Sequence, residues 1–305
     1  MHHIVVIGGT NEDIVARAAQ PIVTEDSNQG TIRTSFGGVG RNIAELLART
    51  GMRVDFFSVI GRDTPGRNIK AFMEDLGVRG NYCFASHTPR YMALLDSDGD
   101  MRYGINDMEA LSALNPAFLK THASIVGEAD AIVLDANVDV SVMEYVFSTF
   151  DTIMVEAVSA QKVKKLIPYL HSVHTLKCNK MELQALSGRT LQSETDIDAA
   201  LQVLLEKGVG RVALTLGSEG ARLATKTMNQ SAKAPAVTIV STNGAGDAFF
   251  AGLIYGDARG EEALPYAQAY ASLALQSDGL IGGRVDASLL QQIAGGLKVQ
   301  KTPRP

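Results

Sequence analysis

The stretch "STNGAGDAFFAG", residues 241–252, places one carboxylate, Asp247, directly after the small residues Gly244, Ala245 and Gly246, at the start of an apolar, helix-like run. A helix start carries unpaired backbone N–H groups and about half a positive charge, so it attracts anions. Asp247 therefore either caps the helix or does chemistry beside a bound anion. "GGVGRN" (37–42) supplies Gly38, which lets a ligand approach the backbone, and Asn42, which can hydrogen-bond hydroxyls; taken alone it is equally a tight strand-to-helix turn with no ligand. Asn11 and Asp13 follow the first strand signal closely enough to grip vicinal hydroxyls, and equally suit plain loop capping. "NKMEL" (179–183) sets Asn179 and Glu182 three apart on one helix face, a pair suited to magnesium through its waters and equally to a capping box. "TLGSEGA" (215–221) puts Thr215, Gly217 and Gly220 in a turn after another strand; taken alone it is a plain β-turn or a ligand edge.

These residues need a frame. "HIVVIGG" (3–9), "VDFFSVIG" (54–61), "ADAIVLDAN" (129–137), "DTIMVEAV" (151–158), "VHTLKCN" (173–179) and "RVALTLG" (211–217) read as strands. Helical spacing marks 40–51, 66–78, 244–258, 261–276 and 286–296. The alternation predicts a mostly parallel α/β sheet covered on both faces. Residues 20–36 and 81–107 are polar, alternating and punctuated by turns, which predicts antiparallel strands outside that sheet, a small β lid spanning about 15–36 and 81–107. With no repeat or linker, residues 1–305 are expected to form one domain with this lid.

Composition narrows the function. Apolar residues make up 46% and charged residues 20%, as in an ordinary globular protein, and a net charge of −5 offers no basic footprint for nucleic acid or an anionic membrane. Two distant cysteines, Cys83 and Cys178, argue against a disulfide framework, and no run of 18 apolar residues suggests a membrane span. A cytoplasmic location is expected. The phosphate-loop motif is absent, and "GVGRNI" and "GAGDAF" both lack the third glycine of the dinucleotide fingerprint, which removes the default nicotinamide-enzyme expectation.

Taken in order, G-G-x-G-x-N near 40, N-x-x-E near 180, T-x-G-x-x-G near 216 and G-A-G-D near 245 resemble the ribokinase or PfkB family of sugar and nucleoside kinases over roughly residues 3–296. "EDSNQGTIRTSFGGVGRNIAELLARTG", "GINDM" (104–108) and "HTLKCNKMELQALSG" (174–188) look like its pseudouridine kinase branch. The resemblance implies a ribokinase-like three-layer α/β/α sandwich and an ATP-dependent transfer to the 5′-hydroxyl of pseudouridine. Other sugar or nucleoside kinases, or a non-catalytic nucleoside-binding regulator, remain open.

By the same resemblance Asp247 is the general base, and the N–H groups around Gly244, Ala245 and Gly246 form an anion hole. Asn11, Asp13, Gly38 and Asn42 hold the ribose, and Asn106 and Asp107 sense the base. Asn179 and Glu182 place Mg²⁺ and the phosphates, while Thr215, Gly217, Gly220, Ser272 and Gln276 line the ATP site. Ser241 stands where relatives often have an acid, which leaves K⁺ activation open, and Cys178 stands where many have proline. A homodimer joined through the lid is implied as well.

Overall fold

A computed structural model of the chain describes residues 2–277, 280, 281 and 285–304. Fourteen strands are formed by the described residues: β1 His3–Ile7, β2 Asn11–Ala18, β3 Gly30–Gly37, β4 Arg53–Gly61, β5 Arg79–Ala85, β6 Arg90–Leu95, β7 Met101–Asp107, β8 Ala131–Asp135, β9 Ile153–Glu156, β10 Val173–Asn179, β11 Arg211–Thr215, β12 Ala221–Thr225, β13 Met228–Ala232 and β14 Val299–Pro303. Ten make one sheet in the order β14-β13-β12-β11-β10-β9-β8-β1-β4-β5. The seven strands from β11 to β5 are mutually parallel, and β12, β13 and β14 add antiparallel at one edge.

The run Ile4-Val5-Val6-Ile7 shows why the sheet is covered on both sides. Ile4 and Val6 enter one apolar core with helices Val39–Arg49, Ala245–Ala258 and Ala263–Leu275, whereas Val5 and Ile7 enter the other with Val140–Thr149 and Glu194–Glu206. A strand buried on both faces reads as continuous apolar sequence, as here.

The remaining four strands form a separate sheet, β3-β2-β6-β7. Two features depart from expectation. β5 pairs parallel with β4, so residues 81–85 belong to the large sheet and not to the lid: its alternating pattern reflects an edge strand with one half-exposed face. The lid also starts earlier, at Asn11, and its β2–β6 pairing is parallel rather than antiparallel. β6 reaches β2 only after the chain has passed through the large sheet, a long-range pairing that turn signals cannot report.

Within the large sheet, strand order runs outward in both directions from β1 and β8. The crevice beyond the carboxyl ends of strands at such a switch point is where ligands of open α/β sheets bind. Asn11, Asp13, Gly38 and Asn42 line one cavity there, and Asp247 is bonded to Asn42.

Candidate active site

The end of β1 and the "GGVGRN" turn are locked together by one carboxylate. Asp135, at the end of β8 and fully buried, accepts from the backbone N–H groups of Gly9 (2.8 Å), Gly40 (2.9 Å) and Asn137 (2.8 Å). Only glycine fits in this junction: a Cβ on Gly38, whose φ is +99°, would lie 2.4 Å from the Gly9 carbonyl, and one on Gly40 would lie 2.8 Å from the Gly8 Cα.

From that turn the helix Val39–Arg49 projects Asn42. Its Nδ2 donates to Asp247 Oδ2 at 2.6 Å, while its Oδ1 accepts from Arg41. Arg41 is itself buried and held by the carbonyls of Phe36 and Gly37 and by Glu45. The guanidinium thus fixes which way the Asn42 amide faces. Asp247 lies in the first turn of helix Ala245–Ala258, and no side chain caps that helix; its N-cap is Gly244 at φ +75°. The capping alternative for Asp247 is therefore not what the structure shows: the carboxylate turns to Asn42, and the helix start remains available to an anion. Burial raises the Asp247 carboxyl to about 6, opposed by the Asn42 hydrogen bond and by the positive charges of Lys177 and Arg41.

Between Asn42 and the small sheet, a cavity of about 560 Å³ is lined by Asn11, Asp13, Gly38, Asn42, Tyr91 and Asn106, among others. Asn11 donates to Asp13, whose carboxyl is raised chiefly by burial. Register explains the lid's share: Asp13 pairs with Tyr91, which pairs with Asn106, so all three share the inner face. Asp107 is one residue on and falls on the opposite face, where it meets exposed His87 at 3.3 Å; the structure does not bring it to the cavity.

Asn179 and Glu182 form a full capping box. The Asn179 side chain accepts from the Glu182 N–H at 3.0 Å, and Glu182 accepts from both the backbone and the side-chain amide of Asn179. Among the described residues no cluster of three or more His, Cys, Asp or Glu is set to ligate a metal directly. One amide and one carboxylate with spare lone pairs fit a hydrated ion and not a stripped one. Thr215 pairs with Asn179 across β10 and β11, placing both at one edge. Gly217 (φ +60°) and Gly220 (φ +102°) shape the turn that follows, and a Cβ on Gly220 would strike the Ala232 carbonyl at 2.1 Å, so this glycine has a packing reason of its own. Ser272 is buried and its hydroxyl donates to the Ala269 carbonyl; Gln276, at the exposed end of that helix, donates its side-chain amide to the Ser272 carbonyl.

Two residues at the centre were not anticipated, Glu156 and Lys177. They form a buried ion pair at 2.8 Å beside Asp247. The signal was available: "VHTLKCN" reads as a strand of a sheet covered on both faces, where a lysine has no solvent to reach and must have a partner.

The sequence profile of the family described as "pfkB family carbohydrate kinase" matches residues 1–286. The chain belongs to the pfkB family. Among its relatives is the pseudouridine kinase of Escherichia coli (strain K12), 31% identical over 285 residues, covering 90% of this chain and 91% of that one. The guanosine-inosine kinase of Exiguobacterium acetylicum is 25% identical, with 94% of this chain and 99% of that one covered. The structure of Arabidopsis thaliana ribokinase complexed with ribose and ATP superposes with a TM-score of 0.85 at 24% identity, covering 96% and 99% of the two chains. The fold of this pfkB-family chain is accordingly ribokinase-like.

Proposed function

We propose that this pfkB-family chain phosphorylates the 5′-hydroxyl of pseudouridine with ATP, giving pseudouridine 5′-phosphate and ADP. The observation that carries the proposal is the Asn42–Asp247 pair, set between a nucleoside-sized cavity and an uncapped helix start. In the reaction the Asp247 carboxylate takes the hydroxyl proton as the hydroxyl oxygen bonds the γ-phosphorus. The bond from that phosphorus to the β,γ-bridging oxygen breaks, and ADP leaves with its electron pair. The N–H groups around Gly244, Ala245 and Gly246 bind the charge that builds on the phosphoryl oxygens.

Asn11, Asp13, Gly38 and Asn42 would hold the ribose, and Asn106 with Tyr91 would meet the base. Thr215, Gly217 and Gly220 would border ATP, with Gln276 toward its adenine. Asn179 and Glu182 would hold the water shell of Mg²⁺, which supplies charge neutralisation to the phosphates. Ser241 brings a hydroxyl where an acid would favour a monovalent cation, so K⁺ dependence is no part of the proposal. The relative named a pseudouridine kinase supports this substrate over ribose or purine nucleosides. Incubation with Mg-ATP and pseudouridine, uridine, adenosine, ribose or fructose, read by ADP release and product mass, tests it; a dominant product other than pseudouridine 5′-phosphate sinks the substrate assignment.

The same register supports a homodimer through the lid. Ile14, Ile32, Met92, Leu94, Tyr103 and Ile105 share the outer face, and Ile32, Tyr103 and Ile105 are 74%, 64% and 57% exposed. An apolar sheet face of this kind suits a second copy of itself.

A further inference from the structure

Lys177 is a buried cation for which the mechanism above has no use. Its Nζ donates to Glu156 Oε1 at 2.8 Å, and the two side chains are only 6% and 4% exposed. The same Nζ lies 2.8 Å from the point a Cβ on Gly246 would occupy, directly against the first turn of the uncapped helix. It is also within electrostatic reach of Asp247 and Glu182.

Stability is a weak reason for such a pair, because an apolar pair of similar shape is often as stable once desolvation is counted. Nor is the pair saturated. Glu156 Oε2 is buried and has no hydrogen-bond partner among the described residues, and an ammonium has three donors of which Glu156 takes one. The arrangement holds a positive charge at one spot and leaves N–H groups over, beside the backbone donors of a helix start that no side chain caps. Three carboxylates surround that spot, and a phosphoryl group brought to it would otherwise meet their combined repulsion.

We propose, resting on the kinase reading, that Lys177 is a catalytic cation that contacts the oxygens of the transferring γ-phosphoryl group from behind Gly246, and that Glu156 is the positioning residue that fixes its ammonium there. Lys177 makes and breaks no covalent bond. It donates hydrogen bonds to the oxygens as charge grows on them, in a site too dry for water to do so. Because the contact is to the γ-group, it distinguishes ATP from ADP, which a purely structural ion pair would not.

The test is calorimetric binding of ADP and of an imido analogue of ATP to the whole chain, alongside steady-state turnover. For Lys177→Met, kcat is expected to fall about 10²–10³-fold. Affinity for the imido analogue should drop at least about tenfold while ADP stays within about threefold, the scale of one lost charged contact. Lys177→Met leaves Glu156 buried and unpaired, so the neutral pair Lys177→Met with Glu156→Gln is measured too and should show the same selective loss. Glu156→Gln alone keeps the ammonium and should lose only about a tenth as much kcat as Lys177→Met. A neutral-pair variant with near-normal kcat, or one that loses ADP and the analogue equally, overturns the assignment. Wild-type protein that binds neither nucleotide overturns the kinase reading and the assignment together; binding of both by wild type with no selective loss in the variants removes the assignment alone.

Discussion

Asn42 Nδ2 and Asp247 Oδ2 meet at 2.6 Å across 205 residues of sequence, and the contact joins the glycine turn after β3 to the first turn of helix Ala245–Ala258. Arg41 fixes the orientation of the amide by binding its oxygen. That hydrogen bond holds the Asp247 carboxyl lower than burial alone would leave it. Asn42→Ala should therefore shift the acidic limb of the kcat/KM profile to higher pH, by about half a unit to one unit for one hydrogen bond. An unmoved limb would show that the amide does not tune the carboxylate.

Asp247 must be ionised to accept a proton, and its carboxyl is raised to about 6 by burial. Activity of the wild type should rise with pH through about 6 and level off above 7. Asp247→Asn should lower kcat by about 10²–10⁴-fold while ATP affinity, measured by calorimetry, changes little. Turnover within tenfold of wild type would remove Asp247 from the role of base.

The same shift has a stability consequence of opposite sense. A carboxyl whose folded value lies above its unfolded value of 3.8 favours the folded state when protonated, and that advantage is lost as pH rises through about 6. At pH 8 the ionised, buried Asp247 is thus a liability on the order of 1–3 kcal/mol. Asp247→Asn should melt a few degrees higher than wild type at pH 8, with the difference shrinking toward pH 4. Equal melting temperatures at both pH values would contradict the burial argument.

Gly38 at φ +99° sits 2.4 Å from a carbonyl at its missing Cβ. Gly38→Ala should cost about 2–4 kcal/mol, from the left-handed backbone and the clash together, and lower the melting temperature by several degrees. A wild-type melting curve for this variant would mean that the turn can rearrange.

On the lid, replacing Ile32 and Ile105 together by Asp puts charge on an apolar face that both sheet register and exposure mark for contact. The wild type is expected to run as a dimer in light scattering and the double variant as a monomer. A monomeric wild type would leave that face without the partner proposed for it.

The parallel body was legible because apolar runs and helical spacing are local signals, and Ile4 to Ile7 or Asp247 to Ala258 fold as their neighbours in sequence dictate. Asn106 and Asp107 show what local pattern cannot carry. Adjacent in sequence, they are separated by the lid's register onto opposite faces, and register depends on pairing partners far along the chain. β5 passed for lid because an edge strand has one half-exposed face, and the antiparallel strands β12, β13 and β14 are only five residues each, the last two mostly polar, so they carry little local signal. Ser272 is named only by resemblance; its buried hydroxyl donates to the Ala269 carbonyl, a bond within one helix that no spacing in the sequence announces. Lys177 and Glu156 lie in segments that the sequence marks only as strands, and their pairing becomes visible when β9 and β10 are placed side by side.

The central claim is that Asp247 delivers a nucleoside hydroxyl to the γ-phosphorus. Mass spectrometry of the product formed from pseudouridine and Mg-ATP, with wild type and Asp247→Asn run side by side, addresses it most directly. The account predicts pseudouridine 5′-phosphate and stoichiometric ADP from wild type, and almost none of either from the variant. ADP without a phosphorylated nucleoside, or equal product from both proteins, would contradict it.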